Sequence, residues 1–160
     1  MKPPLLIQAD LIFGSAEDPA QARLLHLLSE LKQADRPLVL IAERPDRWTP
    51  TVHRVDRAFM RQADLEAEIR RAGGALDAII YLDLGLFGRK RQYRRNMADL
   101  ANRYDCSLEQ IRAILKPGKI ADALSDIIGN VERIERDDRI GAALEGAVRQ
   151  ARMTEKKRPQ

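Results

Sequence analysis

The chain has 160 residues, 44% of them apolar and 32% charged, which is enough for one domain with a core, and no apolar run approaches the ~20 residues of a membrane span. A single cysteine, Cys106, excludes an internal disulfide and a cysteine cage for a metal. The net charge of +4 is uneven, with eleven basic against twelve acidic residues in 1–80 and seventeen against twelve in 81–160. The surplus lies in Arg89, Lys90, Arg91, Arg94 and Arg95, and in Lys156, Lys157 and Arg158. Such a cluster either contacts phosphate or an acidic partner, or is the solvated start of a helix.

From the N-terminus, Met1-Lys2-Pro3-Pro4 leads straight into a strand pattern without the regions of a secretory signal, so a reducing cytosol is the expected compartment. Leu5-Leu6-Ile7 is the first of four short apolar runs that suit a buried parallel sheet; the others are Leu38–Ile41, Ala78–Leu82 and Ile111–Leu115. Helical patterns separate them. Asp18-Pro19 is an N-cap with proline at the first helical position, opening a face of Leu24, Leu27, Leu28 and Leu31 that must stop before Pro37. Thr49-Pro50 repeats the device for a longer stripe of Val52, Val55, Phe59 and Ile69, closed by Gly73-Gly74.

A third helix runs through Tyr93, Met97, Leu100, Ala101 and Tyr104, and Ser107-Leu108-Glu109-Gln110 has the spacing of a capping box. A fourth carries Ile120, Leu124 and Ile127 up to Gly129; Val131–Ile134 reads as a short edge strand, and Arg139–Arg152 as a final helix. The order predicts a three-layer α/β sandwich with a mostly parallel sheet of about five strands, in which Ile7, Leu40, Ile80 and Ile114 lie buried side by side. Residues 1–152 form one domain without a large cap, and 153–160 a disordered basic tail. A ligand crevice is expected beyond the strands' C-terminal ends, near Gln8, Asp10, Ala42, Asp83 and Lys116.

The order of segments over residues 5–130 resembles the haloacid dehalogenase-like (HAD) superfamily, in particular its cap-less branch of histidinol-phosphate and heptose-bisphosphate phosphatases. The likeness is most detailed where a long helix, Ala72-Gly73-Gly74-Ala75-Leu76-Asp77 and the strand Ala78–Leu82 follow one another. Arg89-Lys90 is similar to that branch's Arg-Lys-Pro, and Tyr104–Gln110 resembles its passage to the acidic fourth motif. The resemblance implies a Rossmannoid fold, phosphoryl transfer through an aspartyl nucleophile, and Mg²⁺.

The positions that carry this chemistry depart from the family. Asp-x-Asp-Gly-Thr reads Gln8-Ala9-Asp10-Leu11-Ile12, so an amide replaces the nucleophile. The Thr or Ser of the second motif is Ala42. In Lys116–Asp122, Gly118 replaces the fourth motif's leading aspartate and Asp122 matches the later one. The zinc-binding loop is replaced by Asp83–Gly88, which has neither cysteine nor histidine.

The expectation is a catalytically degenerate phosphatase-fold protein that binds an anionic ligand or a protein partner, without metal or other cofactor. Asp10 is either a vestigial acid or, as lone aspartates at strand ends usually are, a loop cap. Arg89 and Lys90 either hold an anion or simply begin a helix. The first alternative is an active Mg²⁺-dependent phosphomonoester hydrolase with a rearranged site, Asp10 or Asp83 supplying the nucleophile. The second is nucleic-acid binding through the 89–95 cluster. Ala98–Ile111 can also be read as a helix-turn-helix. His26 and His53 have no helical partner at metal-ligand spacing, and Cys106 reads as a buried, inert thiol.

Overall fold

In a computed structural model, residues 2–14, 17–43, 52–83, 90–135 and 137–156 are described. Five strands, β1 (Leu5–Gln8), β2 (Leu38–Glu43), β3 (Ala78–Leu82), β4 (Arg112–Leu115) and β5 (Asn130–Arg133), form one parallel sheet in the order β3-β2-β1-β4-β5. Five helices connect or follow them: α1 (Pro19–Gln33), α2 (Val52–Arg71), α3 (Lys90–Arg103), α4 (Lys119–Ser125) and α5 (Ile140–Lys156). The α/β sandwich expected from the alternating periods is the fold.

The alternation within each strand decides which helix goes where. Leu5, Ile7, Leu38, Leu40 and Ile114 point to one face, where they pack with Leu24, Leu27, Leu28 and Leu31 of α1, Leu65 and Ile69 of α2, and Leu144, Ala147 and Val148 of α5. Leu6, Val39, Ile41, Ala113 and Leu115 point to the other and meet Tyr93, Met97 and Leu100 of α3 and Ile120 and Leu124 of α4. Right-handed crossovers moving outward from β1 to β3 put α1 and α2 on the first face. The chain then returns to β4 on the opposite side of β1, so α3 and α4 cover the second face.

Local signals set the boundaries. Asp18 caps α1 by accepting from Ala20 N–H at 2.9 Å, with Pro19 at the first position. The helix ends in a Schellman arrangement: Asp35 takes a left-handed conformation (φ 53°), and Arg36 N–H reaches back to Leu31 C=O at 3.0 Å. Gly73 (φ 88°) plays the same part after α2. Asp77 fastens the lower edge of the sheet, its carboxylate accepting from Leu38 N–H at 2.8 Å while its own N–H donates to Leu38 C=O at 2.9 Å.

Several expectations need correction. Ile80 is not beside Leu40: Ile79 pairs with Leu40, and Ile80 pairs with Ile41 on the opposite face. Because β3 is an edge strand, Ile80 is only half-buried. The chain is helical through Lys156, so the tail expected to be disordered from 153 continues α5 for four residues, Thr154 Oγ1 bonding back to Gln150 C=O at 2.9 Å. No recognition helix follows α3. After Arg103 come a 3-10 turn (Leu108–Gln110), in which Ser107 N–H donates to Gln110 Oε1 at 2.9 Å, and then β4, which removes the helix-turn-helix reading. Cys106 is half-buried, its thiol pushed up first by burial and then by the charge of Asp105, so it stays protonated near neutral pH. The Thr49-Pro50 cap lies outside the described residues.

Ile114, fully buried beside β1, should cost about 2–5 kcal/mol when changed to alanine, and Ile80→Ala distinctly less. Urea unfolding of the two variants checks the ranking, and equal losses would contradict the register.

Candidate functional site at the C-terminal edge of the sheet

The topology reverses between β1 and β4: α1 leaves β1 on one face, and α4 leaves β4 on the other. In open α/β sheets a ligand crevice is expected where such neighbours diverge. Gln8, the last residue of β1, and Lys116, which follows β4, stand on its two sides. They are joined, because Gln8 Oε1 accepts a hydrogen bond from the backbone N–H of Lys116 at 2.9 Å. The Gln8 side chain thus satisfies a backbone donor between the ends of β1 and β4. Sequence alone placed Gln8 and Lys116 at the same edge but held no signal for this contact.

Asp10 lies in a 3-10 turn (Ala9–Leu11) directly after β1 and is exposed. It makes no hydrogen bond or ion pair among the described residues, so the loop-capping role expected of it is not taken. The turn closes through the backbone instead, with Ile12 N–H on Ala9 C=O at 3.1 Å. Ala42, next to last in β2, is half-buried against the first-face core and offers no hydroxyl for a phosphoryl oxygen.

On the far side of β4, Gly118 caps α4 with φ 146° and ψ −165°. Its carbonyl accepts from Asp122 N–H at 2.9 Å, starting the helix. The Asp122 carboxylate accepts from Arg133 of β5 at 2.8 Å, and Arg133 also donates to Ser125 Oγ at 3.0 Å. Asp122, a candidate site residue from the sequence, therefore serves the α4 to β5 corner.

Beyond β3, Asp83 is half-buried, and its carbonyl accepts from the Tyr93 hydroxyl, tying α3 to the end of β3. Burial first, and then the charges of Asp83 and Glu43, hold the Tyr93 phenol above its ordinary value, so it remains a donor. Sequence reasoning held no signal that Glu43 and Asp83, forty residues apart, both act on Tyr93; the β2–β3 pairing, with Glu43 opposite Leu82, brings them to the same edge. Lys90, Arg91, Arg94 and Arg95 are all exposed on α3, whereas Tyr93 among them is buried. Arg89 lies outside the described residues.

These donors do not suit a magnesium ion, which takes carboxylates in near-octahedral order. Gln8 is neutral and engaged, Gly118 has no side chain, and Asp122 is paired with Arg133. Among the described residues no group of three or more His, Cys, Asp or Glu comes together as a metal site. No described helix is long and apolar enough to cross a membrane.

No protein-family profile matches the sequence, and no curated protein does. Solved structures do. The D,D-heptose 1,7-bisphosphate phosphatase of B. bronchiseptica, complexed with magnesium and phosphate, superposes with a TM-score of 0.66 at 16% identity, covering 94% of this chain and 99% of that one. A HAD-like phosphatase candidate from Mesorhizobium loti gives a TM-score of 0.60 at 14% identity, over 94% and 87% of the two chains. An uncharacterized protein from Corynebacterium glutamicum gives 0.58 at 14% identity, over 92% and 95%. The single parallel sheet, its strand order and its two helical layers are thus those of the HAD-like phosphatase fold.

Proposed function

We propose that this chain is a phosphatase-fold domain that binds an anionic ligand or a protein partner at its crevice and does not hydrolyse phosphate esters. The observation that carries the reading is the Gln8 to Lys116 contact. Aspartyl phosphatases proceed through an acyl phosphate formed on a carboxylate, and a carboxamide whose oxygen already accepts a backbone N–H has no such route. The surroundings agree with this reading. A carboxylate at residue 8 would need a cation beside it, whereas residue 8 is a glutamine and among the described residues no group of three or more acidic or other ligating side chains gathers to hold one. Lys90 is exposed at the start of α3, and the positive charge of Lys90 and Lys116 favours an anion at this edge.

A second reading keeps one observation in its favour. Asp10 is an exposed carboxylate with no partner among the described residues, so a rearranged Mg²⁺-dependent hydrolase would use it first. The nucleic-acid reading is weaker, since Tyr93, the aromatic residue within the basic run, is buried against the sheet and offers no face for a base.

The full chain incubated with Mg²⁺ and a broad panel of phosphomonoesters should release no phosphate above the protein-free rate. Turnover that Asp10→Asn abolishes would overturn the proposal in favour of the hydrolase. Binding has its own readout, in which inorganic phosphate should shift the amide resonances of Gln8 and Lys116 in a titration.

Restoring the family's residues should fail for a backbone reason. At φ 146° and ψ −165° only glycine is comfortable, so Gly118→Asp should destabilise the fold by about 1–3 kcal/mol, with Gly118→Ala losing a similar amount. Urea midpoints of the two variants test this. If Gly118→Asp keeps full stability, the glycine backbone is no barrier to the acidic motif.

A further inference from the structure

The opposite edge of the sheet holds an unresolved cluster of positive charge. Arg36, fixed by the Schellman turn after α1, is only 7% exposed. Arg112, the first residue of β4, has a side chain 16% exposed. Both guanidinium groups converge on one neutral atom, with Arg36 Nη1 at 3.3 Å and Arg112 Nη1 at 3.2 Å from Gln150 Oε1 of α5. Arg112 also pairs with Glu132 of β5. That is one carboxylate for two cations. Each guanidinium brings five N–H donors, and the Nε of both is buried without a hydrogen-bond partner.

The arrangement is electrostatically short of an anion. Burial first, and then the charge of Arg112, pull the pKa of Arg36 down to about 10, which leaves it cationic at neutral pH but against local resistance. Gln150 is a weak remedy. Its contacts are at the long end for N–H···O bonds, and a neutral oxygen between two guanidinium groups gives less than a charged one would. On its outer side Gln150 lines a hollow of about 450 Å³ with Gly146, Arg149, Met153 and Thr154. Gly146 lies directly over Arg112, where an added Cβ would be 3.8 Å from Nη2. The path from solvent to the arginine pair therefore passes the exposed Gln150 side chain.

We propose that Arg36 and Arg112 form a binding site for a tetrahedral oxyanion, free phosphate or a phosphate monoester, whose oxygen takes the place of Gln150 Oε1. The site is separate from the crevice, being at the N-terminal edge of the sheet on the α1 and α5 face. An oxygen at the Oε1 position touches both guanidinium groups at once, and the remaining oxygens face the hollow that Arg149 lines. Guanidinium groups suit this ligand because their planar donor pairs match the spacing of phosphate oxygens. The hollow leaves room for the organic part of an ester.

Thermal unfolding of the full chain tests the site, with inorganic phosphate, sulfate or acetate exchanged against chloride at constant ionic strength. Phosphate should raise the midpoint saturably, by about 3–6 °C at ten times its dissociation constant, and acetate should not. Gln150→Glu, an exposed substitution that supplies a permanent charge, should raise the midpoint without phosphate and abolish the phosphate response. Arg112→Gln should abolish the response too. All of these variants are read in a Lys90→Ala/Lys116→Ala background, which removes the crevice's contribution and whose own phosphate response should persist, and this separates the site from the crevice. The proposal is overturned if phosphate acts no differently from chloride, if Gln150→Glu keeps the response, or if the response disappears in the Lys90→Ala/Lys116→Ala background or survives Arg112→Gln within it. A larger response to glycerol phosphate than to inorganic phosphate would identify the ester as the ligand, and the reverse would identify the free ion.

Discussion

The first strand is the constraint on which the rest depends. Leu5, Leu6 and Ile7 have no exposed surface because β1 is paired on both edges and covered on both faces. A strand in that position cannot use one face for water, so its sequence is a continuous apolar run and not an alternation. Its end is the one place where a side chain can emerge between two diverging loops. Whatever stands at residue 8 therefore faces the crevice and must also cope with unpaired backbone donors nearby.

A carboxylate at that point would bring a charge into a partly enclosed space and require a cation to offset it. The amide of Gln8 changes the electrostatics of the whole edge. It is neutral, and its oxygen accepts from the half-buried Lys116 N–H, which would otherwise depend on water for a partner. The same logic extends along β4. Gly118 adopts a conformation unfavourable to aspartate, and the Asp122 carboxylate is engaged by Arg133.

Much of the architecture was legible because it rests on local rules. Asp18-Pro19, Gly73-Gly74 and the apolar runs each announce an element through capping, left-handed backbone or burial, and the crossover rule then orders the layers. The one-residue slip at Ile80 has the opposite origin. In a run such as Ala-Ile-Ile-Tyr-Leu every position is apolar, so composition does not say which residues face which layer; the partner strand decides it. The site was half legible for a similar reason. Motif positions can be aligned by eye, but the acceptor role of Gln8 and the joint action of Glu43 and Asp83 on Tyr93 arise only from strand pairing. Arg36 and Arg112 lie 76 positions apart and gave no joint signal at all.

The helix dipoles explain part of the chemistry of the opposite edge. In a parallel α/β sandwich the crossover helices, α1 among them, direct their negative C-terminal ends toward the N-terminal edge of the sheet, so cations are expected there. Lys2 fits that account completely: its ammonium group donates to Ala34 C=O at the end of α1 and to Ala151 C=O of α5 at 2.9 Å. Arg152 pairs with Glu30 at 2.8 Å and needs no further explanation. Arg36 and Arg112 do not fit. A dipole-stabilised arginine would direct its donors to helix carbonyls, whereas these two share the side-chain oxygen of one glutamine and leave both Nε groups unpaired. Burying like charges together costs free energy that the dipoles do not return. Among the described residues the buried side-chain atoms left without a partner are the Nε groups of this pair, which lies beside a hollow of about 450 Å³, and an anion from solution is the simplest group that would offset the charge.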